Sequence, residues 1–280
     1  MLKLMKKLEI IPNLLLLFVL FCFIIKSIYK HWRRRGLGEL IAVLSGKGGT
    51  GKTSVCAGLA TALADKGHTV LCIDCDVGLR NLDISLGISE LGALSFLDVC
   101  GGNYSLDQAA KHPEYPNLSF LTAPISVGAD GIDPWAFGEM LRKARQRYAY
   151  IFLDAPAGVD EGFRLAARFS DRVILVTGPD PGAIRDAGRT GELLELMGKT
   201  NVRLVVNRVS RKMASAMNLT IDDVMDASGL PLLGVVPEDE NVVLSAAFGK
   251  PLLRYTRRGA AAACRRIAKR IQGNQEPISI

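Results

Sequence analysis

The eight residues Gly46-Lys47-Gly48-Gly49-Thr50-Gly51-Lys52-Thr53 constrain this chain more than any other stretch. They spell G-x-x-x-x-G-K-[ST], follow the apolar run Leu40–Leu44, and open a helical pattern with Val55, Leu59 and Leu63 on one side. Between a strand and a helix, such glycines let backbone N–H groups curl around phosphate oxygens, and the helix N-terminus adds its dipole. Lys52 is then placed to pair with the β- and γ-phosphates of ATP, and the Thr53 hydroxyl to ligate Mg2+. A glycine-rich turn before an ordinary helix would leave the matched spacing unexplained. Lys47 is a second lysine in the loop, one that the loop's own phosphates do not need. It suggests a role across a dimer interface, with a solvated surface lysine as the plainer alternative.

From residue 38 onward, short β-branched runs alternate with helix-length segments. Strands are expected at Leu40–Leu44, Thr69–Asp74, Leu118–Leu121, Tyr150–Asp154, Arg172–Thr177, Arg203–Asn207 and Leu232–Val236. Helices such as Thr53–Lys66, Pro134–Arg147, Ala183–Met197 and Ile221–Ala227 fall between them. This alternation predicts an α/β fold: a doubly wound, mostly parallel sheet with helices on both faces. The runs IAVL, YIFL and VILV are continuously apolar, as strands covered on both sides should be.

Two further stretches carry carboxylates to the expected ligand edge of that sheet. Asp74 and Asp76 sit at the end of the second strand. Asp154 ends the apolar strand Tyr150–Asp154, as in a Walker B element, followed by Pro156, Ala157 and Gly158 as a candidate γ-phosphate sensor. Carboxylates beside a triphosphate need a reason, and Mg2+ or an attacking water supplies one; a turn or capping aspartate is the alternative. Thr53, Asp74 and Asp154 are the candidate metal residues. Asn207-Arg208 ends another strand, and an asparagine there can read an adenine edge through paired hydrogen bonds. Pro237-Glu238 ends the last strand.

Residues 1–36 differ from the rest. They hold eight basic side chains and one acid, whereas the remaining chain balances 27 basic against 27 acidic. The overall charge of +7 therefore belongs to this extension, and the body gives no global argument for nucleic-acid binding. Leu14–Ile25 is continuously apolar and, with its flanks, makes a marginal span. It reads as a possible N-terminal transmembrane helix, with Lys26, Lys30 and Arg33–Arg35 keeping the following chain in the cytoplasm. A cleaved signal peptide lacks its small-x-small site, and a translation start at Leu37 would remove the segment altogether. The expected division is 1–36 as extension, 37–272 as the nucleotide-binding body and 273–280 as a polar tail. Cys72 and Cys75 form C-x-x-C on and just past a strand. Positions three apart there point to opposite faces, so neither metal ligation nor a redox pair is expected, and a reducing cytosol fits.

GKGGTGKT, with its early lysine, resembles the deviant Walker A motif of the MinD/ParA group of ATPases. The resemblance runs from about Glu39 to about Ile271. Asp74-Cys75-Asp76-Val77-Gly78-Leu79-Arg80-Asn81-Leu82-Asp83 is similar to the first switch of the MinD branch. Flagellar-number relatives usually carry Ala at the position of Arg80, and the D-P-Q-G-N continuation of partition proteins is absent. The resemblance implies that Lys47 reaches the nucleotide of a partner subunit in an ATP-dependent homodimer. It implies that Asp76 orients the attacking water, that Asn81 assists in the switch, and that Asp74 supports the Mg2+ shell. Pro237-Glu238-Asp239 resembles the loop that closes over the base. Slow, partner-stimulated ATP hydrolysis at the inner face of the cell membrane, in the placement of the division site, is the implied function. Division-inhibitor or topological-factor proteins are the implied partners.

The match weakens at the C-terminus, where GNQEPISI lacks the basic and bulky-apolar alternation of a lipid-binding tail. The helix before it has Ala260, Cys264, Ile267 and Ile271 on one side and Arg265, Arg266, Lys269 and Arg270 on the other. It reads as a last domain helix with a solvated basic face, or else as a weak anionic-lipid surface. Two other functions stay open. A ParA-type DNA- or cargo-partitioning ATPase is supported only by the basic stretch Arg257–Arg270. A membrane-tethered tyrosine autokinase fits the N-terminal segment but lacks a C-terminal tyrosine cluster, since only Tyr255 follows Tyr150.

Overall fold

Five consecutive apolar residues, Leu40–Leu44, are satisfied only where both faces of their strand are covered. In the computed structural model they lie in β1 (Glu39–Leu44), at the interior of an eight-stranded sheet. The structure describes residues 37–77, 79–124, 131–210, 212 and 220–278. The possible membrane span expected within residues 1–36, which a start at Leu37 would remove, lies outside them. All the elements below belong to one unit, Gly38–Ile280.

In chain order, β1 is followed by α1 (Lys52–Ala64), β2 (Val70–Asp74), α2 (Leu82–Leu86) and α3 (Phe96–Cys100). Then come β3 (Ala110–His112), β4 (Tyr115–Leu121), α4 (Pro134–Ala144), β5 (Tyr150–Asp154) and α5 (Glu161–Phe169). The last third holds β6 (Arg172–Thr177), α6 (Pro181–Leu196), β7 (Val202–Val209), α7 (Ile221–Ser228) and β8 (Leu232–Pro237). It ends with α8 (Asn241–Ala247), α9 (Leu252–Tyr255) and α10 (Gly259–Ile271). The strand order is β3-β4-β2-β5-β1-β6-β7-β8, parallel throughout except for β3 against β4. This is the doubly wound α/β sheet that the alternation predicts.

The observed strands follow the predicted ones closely, and β5 and β6 have the predicted bounds. Sequence reasoning missed β3. Its three residues have no apolar pattern of their own, and antiparallel pairing with β4 makes them a strand. β4 begins three residues earlier than expected because Tyr115 pairs with His112 of β3 across the register slip after Lys111, a pairing that Pro116, a poor ladder residue, hides in the sequence.

Two apolar layers cover the sheet. One packs α4, α5, α6 and α7 against residues such as Leu71, Ile73 and Leu153. The other packs α1 and α10 against Cys72, Phe120 and Phe152. Cys72 belongs to one layer and Cys75 to the other, so the C-x-x-C is divided by the sheet as its spacing predicts. α10 spends its apolar side on this second layer: Ala260, Cys264, Ile267 and Ile271 are all buried. It meets α1 so closely that a Cβ at Gly58 would stand 2.6 Å from the Cys264 sulfur. The last helix is therefore a domain helix. Its Arg265 donates to Leu253 O and its Arg270 to Leu233 O, while Lys269 pairs with Glu276. Among the described residues no helix is long and apolar enough to cross a membrane.

Candidate functional site

Strand order assembles the site. β5 lies between β1 and β2, and Val43 and Asp74 both pair with Asp154 in register. The loop after β1, the end of β2 and the end of β5 therefore meet at one edge of the sheet, where α/β folds bind ligands. Gly46 starts the loop because nothing larger fits: a Cβ there would lie 2.5 Å from Thr190 Oγ1 and 2.8 Å from Asp186 O on α6. Gly48, Gly49 and Thr50 carry the turn to Gly51, which has φ 82° and would drive a Cβ to 2.3 Å from Asn207 Nδ2. α1 then begins at Lys52.

Lys52 is buried, and its Nζ donates to Asp154 Oδ1 at 2.7 Å. Burial pulls the ammonium down, but the charge and hydrogen bond of Asp154 more than offset this and hold its pKa above the ordinary value. Burial pushes the Asp154 carboxyl up, opposed by Lys52 and by a hydrogen bond from Thr53. Asp74, also buried, is pushed up to about 7 by burial and then by the neighbouring Asp154 charge. Its two oxygens hold the loop that follows: Oδ1 accepts from Asp76 N at 2.9 Å and Oδ2 from Leu82 N at 3.2 Å. Lys52, Thr53, Asp74, Asp76 and Asp154 thus form one electrostatic cluster.

The other predicted residues fall outside that cluster. Lys47 Nζ instead bonds Asp180 Oδ1 at 3.1 Å. Asp180 is the N-cap of α6, and the same oxygen accepts from Ala183 N at 2.9 Å. Asn81 is exposed at the start of α2 and makes no side-chain cap bond. Asn207 is buried and donates Nδ2 to Thr50 O at 2.7 Å, so one amide hydrogen supports the phosphate loop. Arg208 has φ 58° and is exposed. Asn207, Arg208, Pro237 and Glu238 line a cavity of about 340 Å3 together with Gly51 and Val243. Its floor is tied to α10 by Asp239, which accepts from Ala260 N at 2.9 Å and from Asn241 N at 3.0 Å. Sequence reasoning missed Asp180 as a site residue, and it placed Asp239 in the base loop without the tie to α10. A D-P step announces a helix cap at Asp180, but nothing local announces Lys47, which is 133 positions away.

The residues present fit a Mg2+–nucleotide. Thr50 Oγ1 and Ser45 Oγ are buried without a hydrogen-bond partner in or beside the loop, and a buried hydroxyl needs an acceptor or donor. Among the described residues no three His, Cys, Asp or Glu side chains converge as a metal cage. Mg2+ does not require one, because it is commonly held by one or two carboxylates together with phosphate oxygens and water. Thr53, Asp154 and Asp74 offer oxygens of this kind at the same sheet edge.

The Asp74 shift has a measurable consequence. Its folded-state pKa is raised, so the protonated carboxyl favours the fold. That stability is fully present below the ordinary carboxylate range and is lost as pH rises through about 7. We expect the nucleotide-free protein to melt progressively lower as pH rises from about 5 to about 8. Asp74→Asn should flatten this slope, and an unchanged slope in the variant would assign the effect elsewhere.

A glycine-rich loop between β1 and α1, a buried lysine–carboxylate pair and a second carboxylate at the same sheet edge define a P-loop nucleotide-binding protein. Residues 41–252 match the CobQ/CobB/MinD/ParA nucleotide binding domain. The chain belongs to the MinD/ParA family. It is 34% identical over 245 residues to the septum site-determining protein MinD of Synechocystis sp., covering 86% of this chain and 92% of that one. The fold is similar to that of the MinC:MinD cell division protein complex of Aquifex aeolicus, with TM-score 0.80 and 34% identity. That match covers 87% of this chain and 99% of the other. It is also similar to the septum site-determining protein MinD of Pyrococcus horikoshii, complexed with Mg-ADP, with TM-score 0.74 and 28% identity. There 84% of this chain and 96% of the other are covered.

Proposed function

We propose that this chain is a MinD-like ATPase that helps to place the division septum, acting as a switch set by its bound nucleotide. The observation that carries the reading is the pairing of the two loop lysines. Lys52 is held inside the phosphate edge by Asp154, while Lys47 is drawn aside to Asp180. On this reading Lys52 serves the chain's own phosphates, and Lys47, released from Asp180, reaches a neighbour's. With Mg-ATP bound, Lys52 would leave Asp154 to pair with the phosphates, and Asp154 and the Thr53 hydroxyl would hold Mg2+. The metal supplies charge neutralisation of the phosphates. Asp76 orients the water, Asn81 supports the switch, and the cavity formed by Asn207, Arg208, Pro237 and Glu238 receives the base.

Hydrolysis is slow until a protein partner speeds it. A division inhibitor of the MinC type, as in the Aquifex complex, and a topological factor are the partner classes. The working body is residues 37–272, with residues 1–36 as extension and 273–280 as tail. Membrane attachment at the cytoplasmic face does not come from the apolar side of α10, which is spent on the core. The intramolecular bonds of Arg265, Lys269 and Arg270 also weaken the DNA-partition reading, which rested on that helix.

Light scattering of the purified chain with Mg-ATP and with Mg-ADP tests the switch. A doubled mass in ATP alone, lost on Lys47→Ala, is the expected result. The same mass in both nucleotides would sink the proposal.

A further inference from the structure

The geometry points to Arg80 as a positioning residue that sets the switch loop by hooking it to Thr122. This inference rests on the proposed assignment of Asp76 to the attacking water. Arg80 has φ 43°, in the left-handed region that a long side chain rarely adopts without being held there. Two bonds hold it. Its backbone N donates to Asp76 O at 3.3 Å, closing a turn on the residue to be positioned. Its Nε donates to Thr122 Oγ1 at 3.0 Å, 42 positions away.

Thr122 is a rigid anchor. It is buried just past the end of β4. Its N donates to Leu94 O at 2.9 Å, and its O accepts from Phe96 N at 3.0 Å. The switch is therefore pinned at three places: Asp76 N and Leu82 N on the Asp74 carboxylate, and the Arg80 side chain on Thr122. Apolar burial holds the ends of the loop at Val77 and Leu82 but not its middle, where Leu79 beside Arg80 is 71% exposed. A loop held by polar hooks changes its geometry when a hook is removed, while the core and its stability stay nearly as they were. A group that must hold a water in line is sensitive to such a change, because small misplacements cost large factors in rate.

Thr122→Val tests the hook, since it keeps the shape and removes the acceptor without touching the switch. Thr122→Ser keeps the hydroxyl. With full-length chain and Mg-ATP, Thr122→Val is expected to lower kcat by about tenfold, with ATP affinity and Tm close to wild type. Thr122→Ser is expected to retain the rate. Arg80→Gly, which relieves the backbone strain but loses the hook, should lower kcat by a similar factor without lowering Tm. A wild-type rate in Thr122→Val, or an equal loss in Val and Ser variants, overturns the inference. Amide exchange at residues 79–82 in nucleotide-free protein gives a reading independent of turnover. Faster exchange in Thr122→Val supports the hook, and unchanged exchange overturns it. Failure of the wild type to hydrolyse ATP would count against the proposed function, and the exchange result would still decide the hook.

Discussion

Lys52→Ala is expected to abolish ATP binding and also to weaken the fold. In the proposed role the ammonium would pair with the β- and γ-phosphates, so affinity should fall by more than about a hundredfold in equilibrium dialysis. The second effect follows from what is left behind. Asp154 is 1% exposed and its oxygen stands 2.7 Å from Lys52 Nζ, so the alanine strands a buried carboxylate beside Asp74 and Asp76. Breaking a buried pair from one side costs about 3–5 kcal/mol. Without its cation the Asp154 carboxyl rises further, so the loss should be largest at high pH and recover as the group protonates on acidification. Adding Asp154→Asn should restore much of the melting temperature and none of the binding. A single variant as stable as wild type would mean that the pair does not hold the empty site together.

Asp76→Ala should separate binding from turnover. The contact that shapes this loop is made by the Asp76 backbone N on Asp74 Oδ1, and alanine keeps that N–H. If Asp76 positions the water as proposed, the variant should bind ATP and still double its mass in ATP, while kcat falls by about a hundredfold or more. Stopped-turnover phosphate release, with light scattering on the same sample, measures both. Hydrolysis at the wild-type rate would remove Asp76 from its assigned role.

The sheet could be read from the sequence where strands are buried on both faces. YIFLD and RVILVT reveal their own limits because their burial leaves no polar residue to blur them. The phosphate loop was legible for a related reason: its chemistry is compressed into eight consecutive positions. What escaped was whatever depends on a distant partner. Ala110–His112 becomes a strand through its neighbour, and Lys47 finds Asp180 through the fold. Asn207 is legible as a polar strand end, but its bond to Thr50 O spans 157 positions. The placement of Cys72 and Cys75 in opposite layers was legible because alternation along a strand is local.

The close seating of α10 on α1 ties the two ends of the domain into one mechanical piece. Gly58 lies within the helix that begins at Lys52, and Cys264 lies in the last helix. A Cβ at position 58 has no room beside that sulfur. These two positions are consequently a single steric unit under selection. A larger side chain at one is expected to require a smaller one at the other, and a tilt of the phosphate helix would press on α10 through this contact.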